Sequence, residues 1–402
     1  MPPLPGPALM PETTPLPLDD AEVRAKLEEM IFASALPVEL EGLTEADRSR
    51  LVDVAASLLA ERPAGTHRVH VGGGEGEAGG RRMTIALLID DMPFLVDSVG
   101  VAMDAEQIDV LRLLHPILHV RRDADGRLLS LGDPSAPRES LVLLETRRAP
   151  AKKRAAIAAR LDHVYADIRA AVSDWQAMLA LLRASARALN DQPPPIAPHV
   201  LAESIAFLDW LAADNFTLVG ADDGDTRLGI LRNAERWSPP RDPAPGMPAT
   251  EPVTVRKSAQ RSTVHRGVPL DIITICHYDA DGRAVGAAHL LGLFTSEALG
   301  ETPRRVPLVR RKVAEVAERL GYAPRSHDGR ALQHVIDSFP REELFQLSTE
   351  ELLAMASGLL SLNDRPRPRV FVRRDPIADR AAVFAYIPRD DYTADLRARL
   401  GQ

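Results

Sequence analysis

The stretch Thr84 to Val120, TIALLIDDMPFLVDSVGVAMDAEQIDVLRLLHPILHV, leaves few folds open to this chain. Thr84 to Ile89 is a short apolar run with β-branched residues at both ends, as expected of a buried strand. Asp90, Asp91 and Pro93 follow, and they suit the cap and first turn of a helix. Leu95, Val99 and Ala102, with Val96 and Met103 beside them, recur at three- and four-residue spacing, so this helix must lay an apolar stripe on a sheet. Ile108 to Val120 reads as a second long strand. Asp123-Ala-Asp-Gly-Arg127 is a polar turn, and Ser140 to Thr146 supplies a further strand. The order strand, helix, strand, turn, strand predicts an α+β domain.

Composition narrows the class. At 402 residues with 45% hydrophobic side chains, the chain can bury two or three cores. Fifty-seven acidic against 49 basic residues, a formal charge of −8, do not supply the basic surface that nucleic acid requires. Cys276 is the sole cysteine, which rules out internal disulfides and fits a cytoplasmic location. No apolar run approaches the roughly 20 residues of a membrane-spanning helix.

In chain order, residues 1–19 read as a disordered proline-rich tail and residues 20–64 as N-terminal helices, the second opening at Thr44. Gly74 to Gly79 matches the dinucleotide fingerprint only as a string. A strand follows it where the fingerprint needs a helix N-terminus, and the loop carries two glutamates. Residues 65–190 form the first α+β domain, ending in Ala151 to Leu189, read as two helices or one long one. Asp191 to Pro198 is a proline-rich break. A second α+β module spans 199–300, with strands expected at Phe216–Gly220, Leu228–Leu231, Thr254–His265, Leu270–Tyr278 and Ala287–Phe294. It repeats the pentapeptide as Asp279-Ala-Asp-Gly-Arg283. Both copies lack the ligands of a calcium loop and read as hairpin turns. Residues 304–364 are helical, and 367–402 read as a hairpin and a helix start, the opening of a domain whose remainder is absent.

Candidate chemistry is sparse. His115 and His119 share an even spacing but lack companion ligands, so hydrogen-bonded histidine is favoured over metal. Asp90, Asp91 and Asp97 could serve acid–base work, with helix capping as the plainer reading. Lys257, Arg261, His265 and Arg266 could form an anion- or partner-binding edge, or a solvated strand face. Arg304, Arg305, Arg310, Arg311 and Lys312 could meet an acidic partner subunit, or cover an exposed helix face. No catalytic, cofactor-binding or metal site is read in the chain.

Asp90-Asp-Met-Pro-Phe-Leu-Val-Asp-Ser-Val99, His115-Pro-Ile-Leu118, Arg261-Ser-Thr-Val-His-Arg266, Pro307-Leu-Val-Arg-Arg-Lys-Val313, Phe339-Pro-Arg-Glu-Glu-Leu-Phe-Gln346 and Tyr386-Ile-Pro-Arg-Asp390 are collinear blocks. They resemble the N-terminal region of the large bacterial NAD-specific glutamate dehydrogenases. The resemblance implies an ACT-like, ferredoxin-like βαββαβ domain, a PAS-like α+β module, a helical connector and the start of a further ACT-like domain. It also implies a homo-oligomer whose NAD and catalytic residues lie outside this chain. The partners implied are the chain's own C-terminal catalytic region and sister subunits. Asp90, Asp91, Met92, Pro93, Phe94, Asp97 and Ser98 then form an effector or subunit-contact loop. ACT domains that bind amino acids usually carry a glycine after the proline of that loop; Phe94 stands there instead, which favours subunit contact over effector sensing. The alternative is a free-standing amino-acid or anion sensor without enzymatic activity.

Overall fold

Among the described residues, a six-stranded and a five-stranded antiparallel sheet divide the chain, and a two-stranded hairpin follows them. The computed structural model describes residues 15–33, 35–72, 82–238, 251–279, 281–323, 325–364, 367–375 and 380–400. The described residues fall into two units, one within Met1–Ile168 plus Thr263–Gly267 and the other within Arg169–Ser262 plus Val268–Gln402. Most of the proline-rich tail and the Gly74–Gly79 string lie outside the described residues.

In the first unit, helices α1 (Ala21–Phe32), α2 (Pro37–Leu40) and α3 (Glu45–Leu59) precede the sheet. Asp20 caps α1 by accepting from the Glu22 N–H at 2.8 Å, and Thr44 with Asp47 forms a capping box on α3. The strands are β1 (Arg68–Gly72), β2 (Arg82–Asp90), β3 (Val110–Leu114), β4 (Ile117–Arg122), β5 (Leu128–Leu131) and β6 (Arg138–Arg147), with α4 (Leu95–Ala105) between β2 and β3. Their order is β1-β2-β6-β4-β5, and β3 also pairs with β6.

Two details differ from the sequence reading. The long strand over Ile108–Val120 is two strands, because Pro116, between them, has no N–H to give the ladder. The edge beside β2, which βαββαβ topology assigns to a strand after the second helix, is taken by β1 from before it. After β6 the chain enters α5 (Ala151–Asp191), a single 41-residue helix that continues into the second unit, so no strand returns.

Strand β2 is buried from Met83 to Ile89 because both faces of the sheet are covered. On one face Ala86, Leu88, Leu118, Val120, Leu141 and Leu143 pack with Leu27 and Ile31 of α1 and Leu51, Ala55 and Leu59 of α3. Alternation turns Ile85, Leu87 and Ile89 to the other face. The buried Leu95, Val99 and Met103 of α4 and Ile157, Leu161 and Ile168 of α5 remain to cover it.

In the second unit, the rest of α5 and α6 (Pro198–Trp210) precede β7 (Phe216–Asp222), β8 (Arg227–Gly229), β9 (Val253–Arg261), β10 (Pro269–Tyr278) and β11 (Ala284–Phe294). The sheet order is β8-β7-β11-β10-β9. Then come α7 (Ser296–Gly300), α8 (Val309–Leu320), α9 (His327–Ser338), α10 (Arg341–Gln346), α11 (Thr349–Asp364), the hairpin β12 (Arg369–Asp375) and β13 (Arg380–Tyr386), and α12 (Ala394–Leu400). Phe294 of the sheet and Phe345 of α10 stack with ring centroids 4.3 Å apart, joining sheet and helices in one core. Trp175 of α5 is 44% exposed.

The two Asp-Ala-Asp-Gly-Arg copies share one hydrogen-bond pattern at their described residues. The Asp123 carboxylate accepts from the N–H groups of Asp125 at 3.0 Å and Arg127 at 2.8 Å, and Asp279 does the same for Asp281 and Arg283.

Candidate functional site

Strand β2 delivers Asp90 and Asp91 to the end of the sheet, and Pro93 then fixes the turn into α4. Neither aspartate caps that helix, contrary to the sequence reading. The N-cap residue is Phe94, in the left-handed region at φ 70°, with no side-chain cap. Register explains where the carboxylates go. Asp90 stands directly opposite Glu139 on β6, a pairing of like charges, and the buried Arg62 guanidinium bridges them at 2.8 Å to each. Glu139 also accepts two bonds from Arg122, at 2.7 and 2.8 Å. Burial pushes the Glu139 carboxyl up, but the hydrogen bonds and charges of Arg122 and Arg62 outweigh this and hold it below the ordinary glutamate value. Asp91 accepts from the Ser140 hydroxyl at 2.8 Å and pairs with Arg138 at 2.9 Å. His115 Nε2 lies 3.2 Å from the same hydroxyl, and burial lowers its pKa against the opposing charge of Asp91.

At the start of α4 the structure brings together two sets of residues that the sequence places in different modules. Residues Thr263–Gly267 leave the β9–β10 connection and belong to the first unit. His265 donates its backbone N–H to Ser98 Oγ at 2.9 Å, and its Nδ1 lies 2.9 Å from Asp97 Oδ2. The rings of His265 and Phe94 are 5.3 Å apart between centroids. Thr263 Oγ1 donates to Asp167 at 2.7 Å, and a Cβ on Gly267 would meet Val101 at 3.0 Å, so the segment lies close on the helices. Residues 263–265 are thus a docked loop where the sequence suggests strand.

Ser98, His265 and Asp97 are near neighbours but make no catalytic triad. The Ser98 hydroxyl donates to the Phe94 carbonyl at 2.6 Å, and it is the backbone of His265, not its ring, that reaches Oγ. Among the described residues no group of three or more His, Cys, Asp or Glu is arranged to hold a metal. His119 is bonded to the Ala136 carbonyl.

The remaining predicted residues are placed elsewhere. Lys257 is buried on β9 and bonded to Asp271 at 2.9 Å and Glu342 at 3.2 Å, which neutralises it as an anion contact. Arg261 ends β9, and Arg266 follows His265 in the docked loop. Arg310 and Arg311 pair with Glu203 and Glu251, and Lys312 is turned into the fold toward the carbonyls of Leu344, Phe345 and Leu347. Arg305 is 3.7 Å from Glu301. Sequence reasoning missed Arg62, Arg122, Glu139 and Ser140. Two charged residues in strand or loop carry no sign of each other until register is known.

Strands β1–β6 and this strand–helix turn make an antiparallel α+β domain. A family model described as glutamate dehydrogenase, ACT1 domain, matches residues 28–161, and one described as glutamate dehydrogenase, helical motif 1, matches residues 306–365. The NAD-specific glutamate dehydrogenase of Halomonas elongata is 35% identical over 345 residues, covering 79% of this chain and 21% of the relative. That of Pseudomonas aeruginosa is 31% identical over 345 residues, with the same coverage, and that of Mycobacterium tuberculosis is 28% identical over 322 residues. Over the residues these matches cover, the chain is similar to NAD-specific glutamate dehydrogenases. It spans about a fifth of the length of the curated relatives it matches. No helix among the described residues is long and apolar enough to cross a membrane.

Proposed function

We propose that this chain is the regulatory and assembly segment of a large cytoplasmic NAD-dependent glutamate dehydrogenase acting in amino-acid catabolism. The whole protein would oxidise L-glutamate with NAD and water to 2-oxoglutarate, ammonia and NADH. In this reading the chain contributes no catalytic or NAD-binding residue, and its partners are its own catalytic region and sister subunits. The observation that carries the reading is the match of residues 28–161 and 306–365 to two glutamate dehydrogenase models in chain order. The second sheet is read as PAS-like. Numbered from its own first strand its order is 2-1-5-4-3, which supports that assignment. The hairpin β12–β13 with α12 is read as elements of a further ACT-like domain.

The turn at Asp90–Ser98 is assigned to holding structure together rather than to sensing an amino acid. Asp91, Asp97 and Ser98 are each engaged by another group of the same unit, and Phe94 occupies the entrance to α4. A ligand carboxylate would have to displace His265 and approach two aspartates. Calorimetry of the chain with glutamate, aspartate and branched amino acids is expected to give no saturable heat at millimolar ligand. Saturable heat that disappears in Asp91→Ala would replace this reading by an effector sensor. An immunoblot of source lysate tests the larger claim. A band far above 43.8 kDa is expected, and one at 43.8 kDa would refute membership of a long enzyme.

A further inference from the structure

We propose that the depression where α5 begins is a binding site for a small polyanion carrying clustered phosphate charge. It has a volume of about 1010 Å³ and is lined by Arg82, Arg147, Arg148 and Arg154 together with Leu111 and Pro150. That is the upper end of the size range of small-molecule sites.

Three observations converge on an anion. First, Arg82 and Arg147 stand directly opposite each other in the β2–β6 register. Like charges placed so cost stability instead of adding to it, unless something negative lies between them. Secondly, the carboxylate in reach does not meet this charge. Glu145 is 3.7 Å from Arg82, but it is buried and already accepts from Arg50 at 3.1 Å and Arg112 at 2.8 Å. Among the described residues no ion pair reaches Arg147, Arg148 or Arg154; the last spends one nitrogen on the Ala149 carbonyl at 3.2 Å. Thirdly, the helix opening here is 41 residues long and its first turn contains no acid. Lys152, Lys153 and Arg154 sit there instead, at the end where the macrodipole is positive and carboxylates are favoured. The Pro150 carbonyl accepts the first intrahelical bond from Arg154, but proline has no side-chain oxygen to receive the N–H groups that follow.

Four guanidinium groups around one depression match the charge of a di- or triphosphate, and each can bond two phosphate oxygens at once. Leu111, Ala149 and Pro150 give the depression an apolar wall on which an organic part could rest. The site lies apart from the Asp90–Ser98 turn, so the proposal does not depend on the function assigned above.

The test is calorimetric titration of the whole chain with inorganic tripolyphosphate at about 0.15 M salt, where exposed charges more than about 8 Å apart are screened. Saturable binding is expected. The double variant Arg147→Ser with Arg148→Ser should weaken it at least about tenfold, as the loss of two charge-assisted contacts requires. Arg147→Lys, which keeps the charge but loses the fork, should weaken it less. Arg121→Ser removes an exposed arginine of the same unit, paired with Asp133, and should leave binding unchanged. Unliganded Arg147→Ser should melt no lower than the wild type, because it relieves the repulsion with Arg82, and this guards against a folding artefact. No saturation at about 10 mM tripolyphosphate, the weak extreme for a specific site, would overturn the proposal. So would equal losses in the Arg121 and Arg147/Arg148 variants, since the attraction would then be nonspecific.

Discussion

Replacing Glu139 by Gln removes one charge from a buried network and leaves its shape. The two guanidinium groups that the carboxylate serves are themselves buried, with side-chain exposures of 4% for Arg62 and 10% for Arg122. Three bonds of 2.7 to 2.8 Å converge on the carboxylate from them. A glutamine can accept at one oxygen only, and its amide nitrogen would set a donor against a donor. Removing one partner of a buried ion pair costs about 3 to 5 kcal/mol, and because Arg62 keeps Asp90 the lower end, about 3 kcal/mol, is expected. For a unit of this size that corresponds to a fall of about 6 to 12 °C in melting temperature. The assay can localise the loss. Trp175, Trp210 and Trp237 all lie in the second unit, so tryptophan fluorescence follows that unit while far-UV circular dichroism follows both. The variant should lose part of its dichroism early, with the fluorescence transition in place. The loss should also depend on pH. The folded-state pKa of Glu139 is depressed, so its contribution is complete above its ordinary value of 4.5 and vanishes as pH falls through the folded value. Wild type and variant should therefore converge in acid. A shift smaller than about 2 °C at neutral pH would refute the reasoning, since the network would then add no net stability.

His265→Ala should cost on the order of 1 kcal/mol and speed hydrogen exchange at residues 263–267; unchanged exchange would mean that the Asp97 contact does not hold the loop. Gly229→Ala should destabilise the second unit by about 3 kcal/mol or more in urea unfolding, because Gly229 has a φ of 60° and an added Cβ would stand 2.2 Å from the Val219 carbonyl oxygen. Burial pushes the Lys312 ammonium down to about 8 from its ordinary 10.5, so in that interval the unfolded chain binds more protons and stability rises with pH. Urea titrations from about pH 7.5 to about 9.5 should show that slope in the wild type and a flatter one in Lys312→Met, and equal slopes would remove Lys312 as its source.

The parts of this fold that were legible in the sequence are those written in consecutive residues. The β2–α4 sequence, the Thr44 capping box and the paired Asp-Ala-Asp-Gly-Arg turns depend on periodicity or on a side chain bonding its own backbone two to four residues on. The apolar stripe of α4 likewise says that a sheet face must lie beneath it. The residues 28–161 that match the ACT1 model take in this local pattern.

What the sequence could not settle depends on partners distant in the chain. Asp97 and His265 meet across 168 positions, and Arg62 and Glu139 across 77. Whether Asp90 caps a helix or faces Glu139 is decided by the register of β2 on β6, and a slip of one residue would send every side chain to the opposite face. The same register sets Arg82 against Arg147, a conflict that no reading of either strand alone contains. Lys257 looked like a surface cation until β9 and β10 paired and placed Asp271 opposite it. The sequence by itself determined most of the helices and strands, though not where β3 parts from β4 or where β9 ends, because that choice rests on local sterics and on the burial of one apolar face. Only the tertiary structure decided which charges are spent inside the fold, because electrostatic neutralisation depends on distance in space, which strand register and the packing of loops and helices set together.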